Sequence, residues 1–406
     1  MNRLPALVPS ATFAELFPPR TAFASRTQMQ RMRWLHFEEH QLDHITGNCI
    51  PVLGDMPVIC HRNTLTQEIR AFYEMAGIRL NGRYLTYASA DEAIGLAKEC
   101  RAQGLRLGYF YPPPDEIAGD ADIVVPQALY DWLNDKASID SLCETTHLPR
   151  HRFFTPDELV QLVDYLPQQA VYLKLCHPGV SGGGADVRFC PDRASRLDAL
   201  EWIAARPPGW SAVRVEAALD IRESWCLNLG IGGAEGVRYL GAATQLFSAP
   251  ATQSGSRIDP QSLPSTATIK LAREIAGRAK ELGYLGVAGF DIGETADGKP
   301  YVFDLNFRPA ACTPQVLMHA AAAERIGAKI SQSWGKVIPG PLMPALRRLE
   351  TFARNGQFVP LRLYDATLAA GDASRINGML LASSLDEIED LQRSLDTALA
   401  SLAPAP

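Results

Sequence analysis

No apolar run in this chain approaches the ~18 to 20 residues that cross a membrane, so no membrane partner is expected. The eight cysteines (Cys49, Cys60, Cys100, Cys143, Cys176, Cys190, Cys226 and Cys312) contain no C-x-x-C pair. Scattered in this way, they read as buried thiols in a reducing compartment rather than a disulfide frame or a zinc site. Basic charge is scarce as well: 39 Lys and Arg stand against 45 Asp and Glu. A net charge of −6 without a basic run argues against a nucleic-acid partner. Repeats are missing, and low complexity is confined to the tail ALASLAPAP, which is expected to fray. The opening stretch MNRLPALVPSATFAELFPPR has one early Arg and an apolar region broken by Pro, unlike a signal peptide. What remains is the expectation of a cytoplasmic enzyme, its 406 residues enough for two or three domains.

From about residue 60, helix-period and strand-period segments alternate. TLTQEIRAFYEMAG reads as a helix ending at Gly77, GRYLTYAS as a strand, ADEAIGLAKECRAQG as a helix stopped by Gly104, and LRLGYFYP and ADIVVP as strands. Such alternation predicts an α/β domain with a largely parallel sheet over residues 1–130, although its first 50 residues show little pattern. A second unit, 131–340, is expected to be α+β. It holds the helical stretches QALYDWLNDKASIDSLCETT and TPDELVQLVDYL, then the strands VYLKLC, AVRVEAAL, SWCLNLGI and VRYLGAATQLF. The long helix TATIKLAREIAGRAKELG leads into two strands joined by a turn at Asp297-Gly298. A small C-terminal α+β unit, 345–406, has the strands FVPLRLYD and NGMLLAS and an amphipathic helix.

The last strand of the second unit, YVFDLNFRPA, places Asp304, Asn306 and Arg308 at every second position of an otherwise apolar run. Residues two apart share a face of a strand, so an acid, an amide and a base line one surface together. A solvated outer face explains an ordinary alternating strand, but this set suits a ligand. Asp291 lies on the neighbouring strand, so three oxygen ligands converge, which is the kind of set Mg2+ accepts alongside substrate phosphates. The alternative is two half-exposed strands whose acids meet water. Arg308 suits bidentate contact with phosphate or carboxylate, and beside Asp304 a structural ion pair is the other reading. Earlier in the chain, Lys174 lies on the strand VYLKLC, which runs into HPGVSGGGADVR. Gly182, Gly183 and Gly184 let backbone N–H groups close on phosphate oxygens, unless the segment is only a mobile turn. It is not a P-loop, since the Lys precedes the glycines and a strand follows.

Lys136, Lys174, the glycines and the Asp/Asn/Arg strands occur in one unit and in an order that resembles the ATP-grasp superfamily, over roughly residues 130–315. The resemblance implies two subdomains that sandwich ATP, with Mg2+. It implies that Lys136 and Lys174 contact phosphates beneath the glycine loop and that VEAAL (215–219) is the hinge holding adenine, with Glu216 and Leu219. It further implies that Glu223 binds ribose hydroxyls, that Asp291, Asp304 and Asn306 hold the metal, and that Arg308 steadies the transferred phosphate. Two departures stand out: Asp304 replaces the Glu of many members, and Ala217 replaces a Lys that often follows the hinge Glu.

The activity implied is phosphorylation of a carboxylate to an acyl phosphate, followed by displacement by an amine to give an amide or peptide bond, ADP and phosphate. The expected partners are a small-molecule carboxylate and an amine, and a homodimer stays open. An ATP-grasp kinase or carboxylase, or a nucleotide-binding module without turnover, are the alternatives. Gln245 and Arg257 are candidates to face the substrates. His36, His40 and His44, four apart, read as a surface or contact cluster with metal binding as the alternative. His177 reads as a loop residue with phosphate contact as its alternative, and Cys312 reads as a packing residue, since no base pairs with it.

Overall fold

The structure, a computed structural model, describes residues 5–32, 34, 39–80, 82–117, 119, 121–178, 182, 184–233, 236–366 and 373–402. It is built on three sheets, and the helices that the sequence periodicity predicts lie against them. Gln67–Met75 is capped by Thr66 and followed by Gly77 at φ +86, while Ala90–Ala102 is capped by Ser89 and followed by Gly104 at φ +72. Both glycines take the left-handed conformation that ends a helix without Cβ strain.

The first sheet is parallel, in the order Tyr84–Tyr87, Val58–His61, Thr21–Ala24, Arg106–Gly108. One of its strands, Thr21–Ala24, comes from the first 50 residues, where the sequence pattern was weak. The expected strand at ADIVVP contributes only a bridge, Leu107 to Ile123. The second sheet is antiparallel, in the order His151–Phe154, Ala212–Ala217, Val171–Cys176, Val187–Cys190. The helical stretch before it is broken into Gln127–Asn134, Lys136–Ser138 and Ile139–Leu142, and Pro156–Asp164 winds as a 3-10 helix.

The third sheet has eight strands: Pro300–Asn306, Gly286–Thr295, Ile221–Gly233, Gly236–Ala249, Thr252–Ile258, Ile330–Pro339, Ala373–Ala382 and Phe358–Tyr364. The C-terminal strands thus extend the sheet that carries Asp291 and Asp304 and do not form a sheet of their own. One apolar core joins the parallel sheet to this large sheet, and a separate core underlies the small antiparallel sheet. Trp34, 1% exposed, reaches from the N-terminal region into that second core. No helix among the described residues is long and apolar enough to cross a membrane.

Candidate functional site

Alternation along Gly286–Thr295, Ile221–Gly233 and Gly236–Ala249 separates two faces of the large sheet. Asp291 pairs with Asp304 on one side and with Cys226 on the other, and Cys226 pairs with Ala243, so these four share a face. Gln245, two residues on from Ala243, hydrogen-bonds Asp291. Asn306 donates from Nδ2 to Asp304 Oδ2 at 3.3 Å. Burial and the facing Asp304 push the Asp291 carboxyl up to about 7. Two facing carboxylates, one of them buried, disfavour each other's ionisation in this way.

Lys136 and Lys174 reach this face from the small-sheet side. Lys136 opens a short helical turn whose N-cap is Asp135, and its Nζ lies 2.7 Å from Asp186 Oδ2 and 3.7 Å from Asp304 Oδ1. Burial opposes the ammonium charge, but Asp186 and Asp304 outweigh it and hold Lys136 charged well above its usual range. Burial likewise opposes the Asp186 carboxylate, and Lys136 and His177 hold it well below the usual range. Lys174 Nζ donates to the Phe303 carbonyl at 2.7 Å and pairs with Glu216 Oε2 at 2.6 Å. Glu216 also accepts from Arg214 Nε at 2.5 Å, and Arg214 pairs with Asp140. Glu216 is therefore a clamp on Lys174 within a buried ion network. Arg308 donates from Nη1 to Asn134 Oδ1 at 2.7 Å, and its guanidinium lies 5.6 Å from the centre of the Tyr111 ring.

One glycine after Lys174 sits at a constrained point. Gly184 has φ +81, and a Cβ there would lie 2.1 Å from the Ala251 carbonyl at the tip joining Gly236–Ala249 to Thr252–Ile258. Gly182 has open space around it, and Gly183 lies outside the described residues. At the root of the loop His177, 3% exposed, stacks on Trp34 with ring centres 3.8 Å apart and its Nε2 3.4 Å from Asp186.

The structure thus brings Lys136, Lys174, Glu216, Asp291, Asp304, Asn306 and Arg308 together. It does not bring Glu223. That residue pairs with Glu294, lies on the face opposite Asp291, and its Oε1 accepts from Thr244 Oγ1 at 3.4 Å. Arg257 pairs with Thr244 and Gln332 and so lies on that opposite face too, away from the position expected for a substrate contact. Leu219 is half-buried in the connection after Ala212–Ala217. His36 lies outside the described residues, while His44 is buried. Cys312 packs beside Cys226, Ala243 and Val316, 3.4 Å from Asn228 Nδ2. Sequence reading missed Asp186, Asn134 and Tyr111. Asp186 follows the glycines by two residues and Asn134 precedes Lys136 by two, but neither carries a signal of its own.

Two models of one family match this chain: the N-terminal domain of L-aspartate–L-methionine ligase over residues 12–131, and the ATP grasp of the same ligase over 149–306. Together they take in more than half of it. The chain belongs to the ATP-grasp carboxylate–amine ligases. As such it is an ATP-dependent enzyme that forms an amide bond. Solved structures similar to this ligase include an N5-carboxyaminoimidazole ribonucleotide synthetase in complex with ADP, at 13% identity, 99% and 100% coverage of the two chains and a TM-score of 0.55. The Staphylococcus aureus N5-carboxyaminoimidazole synthetase with ADP matches at 11% identity, 97% and 99% coverage and 0.55. An L-amino acid ligase from Bacillus licheniformis matches at 13%, 93% and 97% coverage and 0.51. At such identities the likeness bears on the fold.

Proposed function

We propose that the ligase joins L-aspartate to L-methionine, with aspartate as the carboxylate that is phosphorylated and methionine as the amine. The two matching family models support this pair of substrates. The observation that carries the chemistry is the Asp291–Asp304 pair, facing one another across neighbouring strands with Lys136, Lys174 and Arg308 around them.

A carboxylate oxygen attacks the γ-phosphorus of ATP, the bond to ADP breaks, and an acyl phosphate forms. The amine then attacks the acyl carbon, phosphate leaves, and a proton is lost to give the amide. Positioning and charge neutralisation dominate such transfers. Lys136 and Lys174 spread phosphate charge. Arg308, oriented by Asn134, holds the transferred phosphoryl oxygens and the later oxyanion. The glycine loop, anchored where Gly184 meets the Ala251 carbonyl, keeps water from the acyl phosphate.

Among the described residues no group of three or more His, Cys, Asp or Glu forms a metal cage. Mg2+ needs none, since one or two carboxylates with substrate phosphates hold it, and the raised carboxyl of Asp291 fits that role. Asp291, Asp304 and Asn306 would hold the ion, which supplies charge neutralisation at the phosphates. Eight buried free cysteines suit the reducing cytoplasm.

Hydroxylamine trapping tests the reading. With Mg-ATP and aspartate, the enzyme is expected to yield aspartyl hydroxamate and ADP; with methionine in place of hydroxylamine, aspartyl-methionine. Hydroxamate from methionine alone would reverse the two roles, and AMP as product would refute the mechanism.

A further inference from the structure

A second polar cluster lies at the carboxyl ends of the parallel strands, outside the nucleotide face. Strand order reverses between Thr21–Ala24 and Arg106–Gly108, and open parallel sheets bind ligands beyond the carboxyl ends of their strands at such a switch point. Ser25, His61 and Asn63, and Tyr111 a little further along, follow those ends. The last two strands of the large sheet close over this place. Arg362 pairs with Asn377 and Tyr364 with Arg375, so these four share one face, and the Tyr364 ring lies 5.8 Å from His44 and 6.0 Å from His61.

The cluster is rich in cations, and among the described residues its nearby carboxylates are engaged elsewhere. Arg362 donates from Nε and Nη2 to Asn377 Oδ1 at 3.0 and 2.9 Å, and from Nη1 to Asn48 Oδ1. Among the described residues no carboxylate pairs with Arg362 or Arg375. The nearby Asp43 is engaged by Arg26 and by the Tyr87 hydroxyl, and Asp365 Oδ1 accepts from the Leu342 amide. Arg375 Nε, His44 Nε2, Ser25 Oγ and both polar side-chain atoms of Asn63 are buried without a hydrogen-bond partner. Burial and the Arg375 charge lower Arg362 to about 10, and burial with Arg362, Arg375 and His40 holds His44 well below its usual range. Buried charges and polar groups are ordinarily paired, so two guanidiniums above unpartnered buried groups mark a place for an anion. Tyr111 connects it to the reaction: Arg308 lies over its ring, and Arg362 acts on the same phenol.

We propose that Arg362 and Arg375, with His44, bind the carboxylate of the dicarboxylic amino acid that is not phosphorylated, an assignment that rests on aspartate being the acyl substrate. The reacting carboxyl then lies towards Arg308, with Tyr111 alongside the substrate. A guanidinium–carboxylate pair is charge-assisted and suits recognition of a planar anion.

Initial-rate kinetics on the wild type, Arg375→Met and Arg375→Lys test it. Removal of one charged hydrogen-bonding partner is expected to raise KM for aspartate roughly 10- to 100-fold, with KM for ATP and methionine within about twofold of wild type. Arg375→Lys should recover part of the loss. The substrate-free Arg375→Met protein should melt no lower than wild type, since Arg375 gives up no partner and Arg362 loses a like charge. That combination separates a substrate contact from a structural residue, whose loss would lower melting and change all three KM values together. A KM for aspartate unchanged in Arg375→Met, or that structural pattern, would overturn the subsite while leaving the substrate reading intact. A wild type that makes no ADP with aspartate and methionine would overturn the substrate reading and this occupant with it.

Discussion

Asp291 and Asp304 face each other across two strands, and the physics of that pair gives a pH signature. The Asp291 carboxyl moves from 3.8 to about 7 on folding. Between those values the folded chain binds the proton that the unfolded chain releases, so this group's contribution to stability falls as pH rises through the window. A divalent cation takes the carboxylate and reverses the penalty. The melting-temperature gain from Mg-ADP should therefore be larger at pH 8 than at pH 6, and an equal gain at both would contradict the metal assignment. Asp304→Ala and Asn306→Ala should each abolish turnover with melting nearly unchanged, because both side chains are partly exposed; full activity in either variant would refute their role. At this scale the sequence was most legible where alternation speaks. Asp304, Asn306 and Arg308 share a face because they are two apart. The same rule, applied through the observed register, turns Glu223 away. Asp186 was illegible, since its value comes from Lys136, fifty residues earlier in the chain.

Two glycines of one loop make an element-scale contrast. Gly184 sits at φ +81 against the Ala251 carbonyl, whereas a Cβ at Gly182 meets nothing within 4 Å. Gly184→Ala should impair loop closure, with about 1–2 kcal/mol of backbone strain added to the clash, and raise KM for ATP. Gly182→Ala should leave it near wild type, and equal effects in the two variants would contradict this packing. Elements with apolar alternation were readable, but Thr252–Ile258 and Ile330–Pro339 were not. The face they turn towards Thr313–Ile326 is polar: Ser256 donates from Oγ to Gln315 at 2.6 Å, and Gln315 Nε2 donates to Ser331 at 3.1 Å, while Ile330, Trp334 and Ile338 pack into the apolar core from the other face of their strand. A strand with hydroxyls and amides buried on one face gives a blurred apolar alternation to read.

Across the whole molecule, the N-terminal region braces the proposed phosphate site through a chain of contacts. Trp34 fills the small-sheet core and stacks on His177, which lies beside Asp186 and hence Lys136. Trp34→Ala should cost about 3–5 kcal/mol and raise KM for ATP, while Trp34→Phe retains most of both. An unchanged KM for ATP in Trp34→Ala would show that this contact does not reach the lysine. The C-terminal strands extend the same sheet and cap the switch point of the N-terminal one, an arrangement that sequence pattern could not reveal because it depends on which edges meet. The central claim is that the assembled face transfers phosphate to a substrate carboxylate, and oxygen tracing tests it most directly. Aspartate labelled with 18O in its carboxyl groups is incubated with the enzyme, Mg-ATP and methionine, and the released phosphate is examined by mass. The account predicts one 18O in each inorganic phosphate formed alongside ADP; unlabelled phosphate would contradict it.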